Sequence, residues 1–143
     1  MRYQAVRTAV ESPLQTAFGA LSPAVPVFFD NITAAPENAT TEYVRVSIEF
    51  GLTTEQTLQS NLDRIRGSIV IRVYTEKGKG PARNQTLIDT AVTTVLGLSA
   101  VTRAAAGVYF RPGVINGPTF SATEASPHLV GRIDTGFIAE DHG

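Results

Sequence analysis

The apolar positions along this chain change period several times, and each change marks an element. From residue 2 to residue 20, Val6, Val10, Leu14 and Phe18 recur at steps of four with Ala9 and Ala17 beside them. That spacing predicts a helix with one apolar stripe. Pro13 lies inside it. A proline in a helix interior costs about 3 kcal/mol, and Ser12-Pro13-Leu14-Gln15 also reads as an N-cap serine, a proline at the first helical position and a glutamine at the third. A kink or a restart is expected there.

The segment Leu21 to Pro26 breaks the helix, and Val27 to Asp30 is a short β-rich run ended by Asn31. Residues 32 to 41 carry no period and read as a loop. From Glu42 to Phe50 the alternation is strict: Val44, Val46, Ile48 and Phe50 against Tyr43, Arg45, Ser47 and Glu49, as in a strand with one face on a core. A second long strand is expected from about Arg64 to Thr75, with Ile65, Ile69, Ile71 and Val73 on one face and Arg64, Arg66, Ser68, Arg72 and Tyr74 on the other. Gly51 to Asp63 is then a polar connection of about thirteen residues, at the upper end of ordinary loop lengths.

Glu76 to Gly80 reads as a glycine-rich turn, and Pro81 can open a helix carrying Leu87, Ile88, Ala91, Val92, Val95 and Leu96, with Gly97 at its end. Farther on, Gly107 to Ile115 and Thr119 to Thr123 flank the turn signal Asn116-Gly117-Pro118, which suggests a hairpin. Leu129 to Ala139 alternates again, with Leu129, Ile133 and Phe137 set against Arg132 and Asp134, before a polar tail from Glu140 to Gly143. The expected fold is α+β: an antiparallel or mixed sheet with two helices packed on one face, in the order α-β-β-β-α-β-β with a further β possible. With 143 residues, one domain spanning 1–143 has length enough to bury roughly 70% of its unfolded surface.

Composition narrows the function classes. Charged residues are only 17% of the chain and apolar residues 43%, a balance suited to a protein that covers part of its surface with copies of itself. Twelve basic and 13 acidic side chains give a net charge of -1, against a binder relying on phosphate neutralisation. There is no cysteine, so neither disulfides nor thiolate metal sites contribute. No apolar run approaches the roughly 18 residues of a membrane-spanning helix, and the N-terminus lacks a signal-peptide pattern, so retention in a cytoplasm is expected. The sequons at Asn31, Asn38 and Asn84 then imply nothing.

The chemistry-bearing residues form no familiar constellation. The histidines are His128 and His142, neither beside a nucleophile motif, and both read as surface residues. Glu140-Asp141-His142 is more simply a solvated tail than a metal site, and Lys77-Gly-Lys-Gly80 lacks the spacing of a phosphate-binding loop. No catalytic, cofactor-binding or metal-binding residue is expected. The unusual feature is Arg64, Arg66, Arg72 and Tyr74 on one face of a strand. Arginine and tyrosine are enriched at protein interfaces, so these four are the expected interface residues. The plainer alternative is a solvated face on which the arginines pair with Glu49 or Glu42.

Taken in order, Pro26-Val27-Phe28-Phe29-Asp30-Asn31, then Glu42 to Phe50, then Arg66 to Tyr74, a glycine-containing turn and the second helix resemble the tail-terminator, or tail-completion, proteins of tailed bacteriophages along nearly the whole chain. The resemblance implies a non-enzymatic virion subunit, assembled in the host cytoplasm, that forms a homo-oligomeric ring, usually of six copies. Such a ring caps the tail tube, ends its polymerisation and joins the tail to the head and neck. Its partners would be the tail tube protein and a neck or head-completion protein, with DNA passing through the lumen without sequence-specific binding, and with no cofactor and no membrane. By position, Thr54, Glu55, Gln56, Gln59 and Asp63 would belong to a loop facing the lumen or the tube. Two other readings remain open: a neck or head-completion protein, and a small α+β enzyme or ligand-binding oligomer with its pocket between subunits.

Overall fold

A computed structural model describes residues 3–21, 25–29, 42–55, 63–76, 78, 81–97, 108–122 and 128–141. Its elements run α1 (Tyr3–Gly19), β1 (Val27–Phe28), β2 (Tyr43–Glu55), β3 (Asp63–Glu76), α2 (Ala82–Leu96), β4 (Val108–Ala122) and β5 (His128–Asp141). This is the expected α+β order. The five strands form one sheet in the order β1-β2-β3-β5-β4, with β1 parallel to β2 and every other pairing antiparallel.

Both helices lie against the face of the sheet that carries the aliphatic positions. Val6, Val10, Leu14 and Phe18 of α1 are buried, as are Leu87, Ile88, Ala91 and Val95 of α2. They form one cluster with Val44, Val46 and Ile48 of β2, Ile65, Ile69, Ile71 and Val73 of β3, and Ile133, Phe137 and Ala139 of β5. Helix α1 passes through Pro13 without restarting. Its four buried side chains span both sides of the proline, so burial holds together a helix that local propensity would divide. Leu96, expected on the apolar stripe of α2, is 54% exposed at the helix end.

Two glycines set how closely the layers approach. Gly131 of β5 faces the helices, and a Cβ there would meet the Asn84 carboxamide and come within 2.6 Å of Ile88 Cδ1. A bare backbone lets α2 settle onto the sheet at that point. Asn84 is fully buried, and its Nδ2 donates to Val73 O (3.0 Å), Thr75 Oγ1 (3.1 Å) and Leu129 O (3.1 Å), tying the helix to β3 and β5 together. The sequon at Asn84 is therefore occupied by structure. Gly67 of β3 plays a similar part: a Cβ there would lie 2.7 Å from Phe137 Cζ. The Phe137 ring fills that space and meets Phe50 edge to face at 6.3 Å.

Two expectations are corrected. The long connection is shorter than thirteen residues, because the β2–β3 ladder continues past a register irregularity between Phe50 and Thr53 to Thr54↔Arg64 and Glu55↔Asp63. Gly51 allows this, since its missing Cβ faces Arg66 O, 3.1 Å away. Likewise, Asn116-Gly117-Pro118 does not turn a hairpin. Val108–Ala122 is one strand whose register against β5 shifts twice, between Pro112 and Ile115 and between Asn116 and Thr119. Gly117 takes φ +103°, so a turn-forming dipeptide serves as a bulge.

Substituting Gly131→Ala is expected to lower folding stability by about 1–3 kcal/mol, because the new methyl overpacks the seam between α2 and β5. Urea midpoints of the two proteins check this, and an unchanged midpoint would show that the helix can retreat without loss.

Candidate protein-contact surface

The sheet face opposite the helices carries a row of arginines and a cluster of aromatic rings. Along β3 the residues pointing this way are Arg64, Arg66, Ser68, Val70, Arg72 and Tyr74, since Ile65, Ile69, Ile71 and Val73 point into the core. All four residues expected at an interface, Arg64, Arg66, Arg72 and Tyr74, therefore share one face. Their environments differ. Arg66 is exposed, Arg64 and Arg72 are half-buried, and Tyr74 stacks on Tyr43 with ring centroids 4.4 Å apart and planes 9° from parallel.

That tyrosine pair belongs to an aromatic group at one end of the face. Phe28 meets Tyr43 edge to face at 5.8 Å. His128 stands edge-on to Tyr43 at 5.2 Å and to Tyr74 at 5.8 Å. His128 is only 1% exposed, which corrects its reading as a surface histidine: it begins β5 opposite Glu76, where the two rings cover it. His142 lies outside the described residues.

The rung beside the tyrosines is where pairing matters most. Arg45 of β2 lies opposite Arg72 of β3, and Arg72 opposite Arg132 of β5. Three arginines thus occupy neighbouring positions on adjacent strands, with Cβ atoms about 5 Å apart for such pairs, where like charges destabilise. Two unit charges about 6 Å apart repel by about 0.7 kcal/mol in bulk water and several times more at a partly desolvated surface. Arg132 has compensation: Asp134, two residues along the same strand, sits 2.8 Å from its Nη1. Asp134 in turn accepts a hydrogen bond from Asn116 Nδ2 at 3.0 Å. Among the described residues, neither Arg45 nor Arg72 has a carboxylate partner. Glu49 lies farther along β2, opposite Ser68. Glu42 is turned elsewhere, bonded to Arg83 at the start of α2. That hydrogen-bonded carboxylate raises the Arg83 pKa, outweighing the lowering by burial. The shift is upward from a value already far above neutrality, so Arg83 stays charged throughout the physiological range.

Between Arg72, Arg132 and Asp134 on one side and Ser47, Glu49, Ser68 and Val70 on the other lies an open cleft of about 300 Å³. Its walls are mainly polar and carry charges of both signs. Among the described residues no group of three or more histidine, cysteine, aspartate or glutamate side chains is placed to hold a metal ion, and no helix is long and apolar enough to cross a membrane.

Of the residues expected in a loop, Thr54, Glu55 and Asp63 lie in the β2–β3 ladder instead, and Gln56 and Gln59 fall outside the described residues. Sequence reasoning placed Arg45 and Arg132 on polar strand faces but did not unite them with Arg72. Only the cross-strand register does so.

Asp134→Asn is expected to cost roughly 0.5–1 kcal/mol, since it removes the carboxylate paired to the arginine row. The loss should shrink in about 0.5 M salt, where guanidinium repulsion is screened. Thermal melts at two salt concentrations check it, and a salt-independent loss would point to packing instead.

No protein-family model matches the chain, and no curated protein matches it. Among solved structures, one protein whose name describes no activity superposes with a TM-score of 0.66 at 20% identity, over 97% of this chain and 96% of its own. The chain is similar to it in fold.

Proposed function

We propose that this chain is a non-enzymatic structural subunit that assembles head-to-tail into a closed ring, of six copies as the family resemblance of its sequence implies, and that the ring caps a phage tail tube. The observation carrying the ring is the division of charge between the two sides of the molecule. The outward positions of the helices are Gln4, Thr8, Ser12, Gln15 and Thr16 on α1 and Gln85, Thr86, Asp89 and Thr93 on α2, all exposed. Asp89 is the one ionised group among them, and the part-exposed charges Arg7 with Glu11 and Arg83 with Glu42 are paired with each other. The sheet face holds Arg45, Arg64, Arg66, Arg72 and Arg132 with Glu49 and Asp134. A heterologous contact joins unlike patches on successive copies, and a molecule with a largely uncharged or internally paired helix side and an arginine-rich sheet face supplies two such patches.

The tail-tube assignment is supported by the order of segments from Pro26 to Tyr74 and by the helix that follows. In this reading the ring covers the last layer of tube protein, blocks further addition and presents its other side to the neck, within the virion. A neck or head-completion subunit would use the same surfaces with its order of partners reversed.

Purified chain mixed with polymerising tube protein is expected to give ring-shaped caps at tube ends and shorter tubes, visible by negative-stain microscopy. A protein that remains monomeric at high concentration and never binds tube ends would overturn the reading.

A further inference from the structure

We infer that the arginine rung Arg45–Arg72–Arg132 and the cleft beside it form a docking site for an acidic protein segment, one presenting two neighbouring carboxylates to Arg45 and Arg72. The inference does not rest on the ring, because it concerns the surface of a single copy.

Two features of the rung point to a ligand. Arg45 and Arg72 are half-buried and lie opposite each other, yet among the described residues neither has an ion-pair or hydrogen-bond partner. Arg132 and Asp134 show how such a charge is satisfied on this face, at 2.8 Å. The same solution is missing one strand away. A guanidinium presents its donors in a planar fork that matches a carboxylate in bidentate fashion, so a pair of carboxylates spaced like adjacent strands would quench the repulsion along the rung.

The class of partner follows from what surrounds the row. On one side are Tyr43 and Tyr74, stacked and backed by His128. On the other, Glu49 and Asp134 line the cleft with Ser47 and Ser68. A nucleic-acid strand, with a phosphate at every nucleotide, would meet those two carboxylates unfavourably. A protein segment can set carboxylates against the arginines, an apolar group against the tyrosines and a donor against Glu49. A second copy of this chain is the nearest rival, since the strand register sets Glu55, Asp63 and Asp141 on one rung of β2, β3 and β5, whereas Glu11, Glu42 and Asp134 are already paired with Arg7, Arg83 and Arg132. The self-association arm of the test separates the two.

The test uses a hexaglutamate peptide titrated into the full chain, followed by NMR of the arginine Nε–Hε signals and by calorimetry. Signals of Arg45 and Arg72 should shift, binding should weaken with added salt, and the double variant R45Q/R72Q should lose at least tenfold in affinity while melting at or above the parent temperature. Arg66→Gln, on the same face but off the rung, should retain binding. The proposal fails if peptide at millimolar concentration leaves both signals unmoved, or if Arg66→Gln loses as much affinity as the double variant. It also fails if a short DNA duplex binds more tightly than the peptide, if R45Q/R72Q abolishes a self-association seen in the parent, or if the double variant melts lower. These outcomes would assign the row to nucleic acid, to a second copy and to fold maintenance, respectively.

Discussion

Strand β3 is paired along both sides, to β2 through Tyr74 and to β5 through Glu76, so one alternation governs three strands at once. A slip of one residue on either side would turn an aliphatic row to solvent and a charged row into the core. A slip of two would keep the faces but part Gly67 from Phe137 and carry Gly131 away from Asn84. The two glycines thus act as keyholes that admit one register. That register buries Ile71 between Val46 and Ile133, and the next residue along necessarily brings Arg45, Arg72 and Arg132 into line. The charge row on the outside is set by the packing on the inside.

The sheet edges follow a different logic. Strand β4 borders only β5, and an edge of fifteen residues would invite pairing with any exposed strand. It carries Pro112 and Pro118, which lack an amide hydrogen, and two register shifts. Val114, at the first shift, is 81% exposed. Prolines and bulges are the usual means of blunting an edge. At the opposite edge β1 contributes just two residues, held by Val44 N–H donating to Pro26 O at 3.0 Å. Contacts built on the sheet face are therefore better provided for than strand-to-strand addition along β4.

Much of this fold was legible because its elements are strongly periodic. The stripe Val6, Val10, Leu14 and Phe18 and the alternations of β2, β3 and β5 each repeat often enough to outweigh a local contrary signal such as Pro13. Where reading went astray, a local signal had been taken at face value. Gly117-Pro118 makes a turn in isolation, yet here β5 offers a continuous partner strand and absorbs the dipeptide as a bulge. Gly51 to Glu55 is polar and unpatterned, yet the ladder extends through it because backbone pairing makes no demand on side-chain polarity. His128 follows a proline and looked exposed; its burial depends on tyrosines distant in sequence. The arginine row was beyond reach for the same reason, since it needs the register of three strands, one of them separated from the others by a helix and a further strand.

Like charges opposed across strands run against the consistency found elsewhere in the molecule. Core packing and strand registers here agree with one another, and a sequence that satisfies so many local rules tends to break one where another demand is met. The row could have been relieved cheaply, because Ser47, Ser68 and Val70 occupy neighbouring rungs of the same face and a threonine or serine at position 72 would preserve both the pleat and the core. Asp134 neutralises one guanidinium at the β5 end, so compensation was attainable within this geometry and stops short of the other two. The unmatched pair sits half-buried between stacked tyrosines and a polar cleft, where a partner's carboxylate would leave water for a preorganised fork of donors. Surface arginines with no such neighbours gain little from ion pairing; a half-buried pair already held side by side would gain more on contact.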